Sequence, residues 1–405
     1  MKVLMIGINY YPEITGIGKY SGEMAEWLAE QGVEVKVITA PPYYPEWKVR
    51  NKYKTIKYYR ESCQGVSVIR CPIWVPSRPN GFKRILHLAS FAISSFLPVI
   101  WAGIFWRPAV VIVIEPPFMC LPAGLVSAAF ARATSWLHVQ DFEIDAAFEL
   151  GLIRSRYIRQ FLASIERWLM RRFDVVSSIS HMMTGHLRSK GVKEDRILLF
   201  PNWVDMDLVF PLSRPSVIRQ ELGFSDNQIV LLYSGNMGKK QGLEIIIEAA
   251  RYLQDSSNFV FLMSGRGAVR AELEQLAEGL QNVSFMELQP IDRLNELLNC
   301  ADIHLLPQRA GAEDLVMPSK LTAMMASGRP VIATARAGSE IARVLAGCGV
   351  IVEPGDLEGF LGAIQGLGRA VDERETMGRV ARDYAMTHWG KKEILARAFS
   401  SAIKS

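Results

Sequence analysis

Three stretches of this 405-residue sequence combine glycine, basic side chains and a helix start in a pattern suited to holding a diphosphate. In Tyr233-Ser234-Gly235-Asn236-Met237-Gly238-Lys239-Lys240-Gln241-Gly242-Leu243-Glu244 an apolar run ends in a glycine loop with two lysines, and a helical pattern follows. N–H groups left free at a helix start attract an anion, and glycine lets the phosphate approach, so Gly235 and Asn236 are donor-site candidates. Lys240 would place a point charge beside a departing phosphate. Ser264-Gly265-Arg266-Gly267 repeats the theme after the next apolar run, with Arg266 able to fork onto phosphate oxygens. Val316-Met317-Pro318-Ser319-Lys320-Leu321 opens another helix: Pro318 and Ser319 suit its first turn, and Lys320 lies one turn in. A lysine pair before a helix usually faces solvent, but two such loops at corresponding places in one domain are seldom accidental.

The first half offers weaker signals. Gly16 and Gly18 precede a helical stretch and could let backbone N–H groups meet an anion; a plain turn is the competing reading. A dinucleotide fingerprint would place its glycines directly after the strand and an acid at the end of the second strand. Here the glycines come late and the second strand ends in Thr39-Ala40-Pro41, which argues against NAD. Trp136-Leu137-His138-Val139-Gln140-Asp141-Phe142-Glu143 sits where a buried strand ends. Asp141 could orient a sugar hydroxyl and His138 could help hold an acceptor. The plain alternatives are a helix-capping aspartate and a satisfied core histidine.

The elements that must position these residues alternate strand and helix. Strands are expected at 2–8, 33–39, 66–71, 110–115, 135–139, 175–178 and 197–200, with a helix at 19–31. Pro201 to Pro211 reads as a linker. A second series has strands at 229–234, 259–264, 283–285, 303–306, 331–334 and 349–352, with helices that include 243–253, 269–280, 294–299 and 319–326. The fold class is therefore α/β, with two doubly wound domains at 1–205 and 206–385 and a terminal helical stretch at 386–405 that packs back on the first domain. Such a pair leaves a cleft at the strand C-terminal ends, where ligands bind.

Charge is uneven: residues 1–205 carry 25 Lys/Arg against 17 Asp/Glu, and residues 206–405 carry 21 against 24. The first half is thus expected to face something anionic. The five scattered cysteines have no zinc spacing and read as reduced cytosolic thiols, and the N-terminus lacks the marks of a secretory signal. Ile85 to Trp106 is uncharged over 22 positions and flanked by Lys83-Arg84 and Arg107, while Trp47 to Arg60 mixes basic and aromatic residues. Pro98, Gly103 and His87 interrupt the apolar run, so membrane-surface docking fits better than a buried domain helix or a span.

In this order the motifs resemble GT-B glycosyltransferases of the large retaining family that contains sucrose synthases and mannosyltransferases. The resemblance runs the whole length. It is carried by Gly7-Ile8-Asn9-Tyr10 with Gly16-Ile17-Gly18-Lys19-Tyr20, the Val37–Pro45 run, Gln140-Asp141, Phe200-Pro201-Asn202-Trp203, Tyr233-Ser234-Gly235-Asn236 with Lys240-Gln241-Gly242-Leu243-Glu244, and Pro318-Ser319-Lys320-Leu321-Thr322. It implies a transferase that needs no metal or other cofactor and keeps the anomeric configuration. It further implies a nucleotide-sugar donor such as GDP-fucose, an undecaprenyl-diphosphate-linked glucose acceptor in exopolysaccharide synthesis, and no nucleic-acid partner. The enzyme would sit on the cytoplasmic face of the membrane. The wider family's glutamate pair is missing: its positions hold Leu315 and Ala323, and Glu313 and Asp314 are out of register. Lys320, or Glu340 in Gly338-Ser339-Glu340, is expected to take over part of that load. A nucleotide-sugar epimerase on the same fold and a non-catalytic membrane scaffold are the competing readings.

Overall fold

The computed structural model describes residues 1–13, 16–44, 46–53, 56–77, 81–149, 156–256, 258–310 and 319–403. The chain divides into two compact units, Met1–Pro201 with Leu395–Ser405, and Asn202–Ile394.

The first unit is built on an eight-stranded sheet: β1 Lys2–Ile6, β2 Glu34–Thr39, β3 Tyr59–Cys63, β4 Val66–Arg70, β5 Val110–Glu115, β6 Thr134–Val139, β7 Val175–Ser178 and β8 Ile197–Leu199. Their order is β3-β4-β2-β1-β5-β6-β7-β8. All pairs are parallel except β3 with β4. All six residues of β5 are buried, which is why it reads as an unbroken apolar run. Strand β3 was not expected from the sequence. Its residues are polar and half-exposed, and a two-residue turn at Gln64-Gly65, both left-handed, folds it onto β4.

The second unit has a six-stranded parallel sheet: β9 Ile229–Ser234, β10 Phe259–Ser264, β11 Val283–Met286, β12 Ile303–Leu306, β13 Val331–Thr334 and β14 Gly349–Val352. The order β11-β10-β9-β12-β13-β14 reverses between β9 and β12. In the first sheet the corresponding reversal lies between β1 and β5. Strand C-terminal ends at such a switch point are where the loops on either side diverge and leave room for a ligand.

Pro201 to Pro211, expected to be a linker, is mostly pinned to the second unit. Val204 N–H donates to the Trp389 carbonyl at 2.9 Å, and Phe210 N–H donates to Asn295 Oδ1 at 3.0 Å. At the other terminus, Phe399 packs within the first unit, 5.9 Å from the Trp27 ring and 5.0 Å from the Trp136 ring.

The uncharged run forms a helix at Gly81–Trp101 that continues as a π-helical turn at Ala102–Trp106. It is long and apolar enough to cross a membrane by length and composition. One face, including Leu88, Phe91 and Val99, is nevertheless buried in the first unit. Ser127 Oγ on the Leu121–Ala131 helix donates to the Val99 carbonyl at 3.0 Å. The other face exposes Phe82, Ile93, Leu97 and Phe105.

Candidate active site

In the second unit the loops after β9 and β10 stack backbone on backbone. Met237 N–H donates to the Arg266 carbonyl at 2.8 Å, and Gly235 N–H to the Ser264 carbonyl at 2.9 Å. A Cβ on Gly265 would lie 1.9 Å from the Gly235 carbonyl oxygen, and one on Gly267 would lie 2.2 Å from that of Met237. These two glycines are therefore required by loop-to-loop approach, which the sequence reading attributed to phosphate binding alone.

Lys320, in the first turn of the Ser319–Ala326 helix, enters this arrangement from the far side of the switch point. Its Nζ lies 3.9 Å from the Tyr233 ring centroid, and its side chain runs past Gly235, whose absent Cβ leaves the space. Tyr233 is held by a 2.5 Å bond from its hydroxyl to the Asn236 carbonyl. Although the Lys320 residue as a whole is only half-buried, its ammonium is closed to solvent. It has no hydrogen-bond partner among the described residues. Burial lowers its pKa to about 7. Burial thus disfavours the charged form of this lysine, and an anion brought beside it would restore the charge.

The structure thus gathers Gly235, Asn236, Ser319 and Lys320 at one sheet edge. Lys240 stands exposed in the turn Lys239–Gln241, and its carbonyl accepts Arg309 N–H at 3.0 Å. Arg266 brings its backbone to the site, but its guanidinium is exposed and paired with Glu287. Glu287 therefore competes with a phosphate for this guanidinium. Glu340 begins a helix capped by Ser339, whose hydroxyl accepts Ala342 N–H at 3.2 Å. Pro318 lies outside the described residues, as do Glu313, Asp314 and Leu315 of the missing carboxylate motif.

In the first unit, Gly16 is left-handed, and no atom of the described residues stands within 4 Å of where a Cβ would lie. Gly18 has a different cause: a Cβ would fall 2.7 Å from that of Glu13. Glu13, which the sequence reading passed over, is buried and accepts from Asn9 Nδ2 at 2.8 Å and from the N–H groups of Tyr43 and Tyr44, each at 3.0 Å. Burial raises its pKa despite those bonds. Arg70, also missed, braces the same loops, donating to the Tyr11 carbonyl at 2.7 Å and to the Ala40 carbonyl at 3.1 Å.

His138 belongs to the core. It is buried, its Nδ1 lies 2.8 Å from Ser177 Oγ, and its Nε2 lies 2.9 Å from the Gln140 amide. Both ring nitrogens are thus engaged, and burial drops the pKa to about 3, which leaves nothing for an acceptor. Asp141, one residue beyond Gln140, is half-buried. It stands in an acidic group that the sequence did not reveal. Glu115 is fully buried, and both its carboxylate oxygens lack partners among the described residues. Burial, then Glu166 and Glu143, raise its pKa well above the usual carboxylate range, which favours the neutral acid. Glu143 accepts Phe118 N–H at 2.8 Å, and burial raises its pKa to about 6. Lys190 bonds Glu166 and Asp145 close by. Among the described residues no group of three or more His, Cys, Asp or Glu side chains is placed to hold a metal ion.

Residues 15–203 match the family described as Glycosyl transferase 4-like domain, and residues 228–369 match Glycosyl transferases group 1. The sequence is 41% identical over 414 residues, with both chains covered in full, to WcaI of Escherichia coli strain K12, which is named as a colanic acid biosynthesis glycosyl transferase. The chain belongs to the GT-B glycosyltransferases. It is 23% identical to the N-acetyl-alpha-D-glucosaminyl L-malate synthase of Bacillus anthracis, over 97% of this chain and 95% of that one. Its fold also matches sucrose-phosphate synthase from Thermosynechococcus elongatus, with a TM-score of 0.72, 16% identity and coverage of 98% and 97%. Anabaena HepE, solved with UDP and glucose, matches with a TM-score of 0.70 and 15% identity, each chain covered in full. This chain is a glycosyltransferase enzyme.

Proposed function

We propose that the enzyme transfers fucose from GDP-fucose to a lipid-diphosphate-linked glucose in exopolysaccharide synthesis of the colanic-acid type, with retention of anomeric configuration. The observation that carries the nucleotide-sugar part is Lys320: a buried ammonium with no hydrogen-bond partner among the described residues, beside two glycine loops, at the switch point of a doubly wound sheet. Bond breaking places positive charge on the sugar and negative charge on the diphosphate. Lys320, Lys240, the Ser319 helix start and Arg266, once freed from Glu287, stabilise the second of these. A departing diphosphate can itself take the proton of the incoming hydroxyl on the same face, which fits a site that lacks the family's carboxylate pair. No metal is then required, because the lysines and the arginine supply the charge. Asp141 orients the acceptor. The relationship to WcaI, named for colanic acid biosynthesis, supports the choice of pathway.

A lipid-linked acceptor suits the first unit. The exposed face of the 81–106 helical run supplies apolar area, and Lys48, Lys52 and Lys57 supply attraction to anionic headgroups. Beside them, a cavity of about 500 Å³ is lined by Trp47, Lys48, Ile56, Ile73 and Val75. Enzyme bound peripherally to the cytoplasmic face of the membrane would then meet the acceptor's sugar while its lipid stays in the bilayer. The test is a donor screen on undecaprenyl-diphosphate-linked glucose with GDP-fucose, GDP-mannose and UDP-glucose, read by product mass and by the anomeric coupling of the product. A mass gain of one deoxyhexose with the donor's anomeric configuration supports the reading. A different sugar replaces fucose, an inverted product refutes retention, and turnover of donor to an epimer without acceptor refutes transfer.

A further inference from the structure

At the other edge of the second unit's sheet, where β12 and β13 begin, lies a cavity of about 480 Å³. Arg329, Arg374, Arg379 and Arg382 line it, together with Asp302, Glu375 and Asp383. The helix at Val371–Trp389 forms one wall, seated tightly against the turn after the Ser319–Ala326 helix: a Cβ on Gly378 would fall 2.1 Å from the Gly328 carbonyl oxygen. Two of the arginines are anchored. Arg382 Nη1 donates to the carbonyls of Val209 at 2.6 Å and Ala326 at 2.7 Å, and Arg374 Nη1 donates to that of Gly368 at 2.9 Å.

Arg329 is different. Its Nε is closed to solvent and has no hydrogen-bond partner among the described residues. Asp302 attracts it most, yet Asp302 Oδ2 already accepts Arg219 Nη1 at 3.0 Å and Val230 N–H at 2.8 Å. Arg329 as a residue is half-buried, but an Nε–H closed to solvent and left without an acceptor is destabilising, and the empty state gains nothing from it. The volume is in the range of small-molecule sites. The lining pairs guanidinium forks, which fit phosphate oxygens two at a time, with carboxylates, which accept from hydroxyl groups.

We propose that this cavity binds a phosphorylated sugar, at a site separate from the glycine loops on the opposite edge. Arg329 and Arg374 hold the phosphate, and Glu375 and Asp383 accept the sugar hydroxyls. The test is thermal unfolding and calorimetry of the full chain with glucose 1-phosphate, inorganic phosphate and glucose, on wild type, Arg329→Met and Lys320→Met. Glucose 1-phosphate is expected to raise the wild-type melting temperature, more than equal inorganic phosphate does, and glucose alone is expected to do nothing. The shift should survive in Lys320→Met and vanish in Arg329→Met with at least a tenfold loss of affinity, while the ligand-free melting temperature of Arg329→Met stays level or rises. Should Arg329→Met fail to fold, Arg329→Lys keeps the charge without the fork and should still weaken binding. The proposal is overturned if the shift persists in both Arg329 variants, or if Lys320→Met alone abolishes it. It also fails if inorganic phosphate acts as strongly as the sugar phosphate. Phosphatidylglycerol vesicles form the last arm: binding to them that is lost in Arg329→Met, with no response to glucose 1-phosphate, would make the site a lipid-headgroup contact and refute the sugar.

Discussion

Replacing Lys320 with methionine isolates the buried ammonium beside the glycine loops. Burial takes this ammonium from an ordinary value of 10.5 to about 7. Each unit is about 1.4 kcal/mol, so charging the residue in the empty site costs at most about 5 kcal/mol relative to water. A pKa depressed on folding means that the unfolded chain binds more protons between the two values. Stability of the empty enzyme therefore climbs from about pH 7 toward 10.5, and Lys320→Met should remove that slope and leave the protein level or more stable at neutral pH. A bound diphosphate returns the pKa toward its ordinary value. At pH 8 only roughly a tenth of the empty enzyme carries that proton, so nucleotide binding should take up roughly 0.9 proton, falling toward 0.1 at pH 6. Calorimetry of GDP binding in buffers of different ionisation enthalpy reads this directly, and Lys320→Met under the same conditions subtracts the nucleotide's own protons. The variant should also bind GDP at least tenfold more weakly and turn over about 10²-fold more slowly. Equal proton uptake in wild type and variant at pH 8, or unchanged GDP affinity in the variant, would refute Lys320 as the phosphate partner.

Lys240→Ala and Arg266→Ala should each lower transfer about 10²-fold without loss of fold, measured by single-turnover kinetics; near-normal rates in both would remove them from the leaving-group site. Transfer should continue unchanged in EDTA, and activity restored only by magnesium or manganese would contradict a charge supply made of side chains. Glu143, raised to about 6 by burial, binds more protons in the folded chain than in the unfolded one between about pH 4.5 and 6. Stability should fall through that window, and Glu143→Gln should flatten the change by about 2 kcal/mol in denaturant titrations. An unaltered pH profile would show that Glu143 is solvated. Liposome flotation should recover wild type on anionic vesicles and less of it at high salt, with Lys52→Glu/Lys57→Glu and Ile93→Asp/Leu97→Asp each reduced; Lys54 also lies in the basic stretch but outside the described residues. Equal flotation of all three proteins on anionic and neutral vesicles would refute docking through this face.

The sequence determined what depends on local order. Buried parallel strands are apolar on both faces, so β5, β9, β10, β12 and β13 could be read to the residue as short, mostly apolar runs between helices. The glycine loops and the Ser319 helix start were legible for the same reason, since each is a contiguous pattern. Strand β3 was not, because its polar, half-exposed residues owe their place to a turn and a partner strand and not to their own hydrophobicity. Only the tertiary structure could decide the roles of residues whose meaning lies in distant neighbours. It set His138 between Ser177 and Gln140 as core, assigned Gly18 to Glu13, and tied Arg266 to Glu287. It also left Lys320, Glu115 and Arg329 with polar atoms buried and without a hydrogen-bond partner among the described residues. Burial and pairing are properties of packing over long sequence separations, and these set the charge that each candidate residue can offer to a ligand.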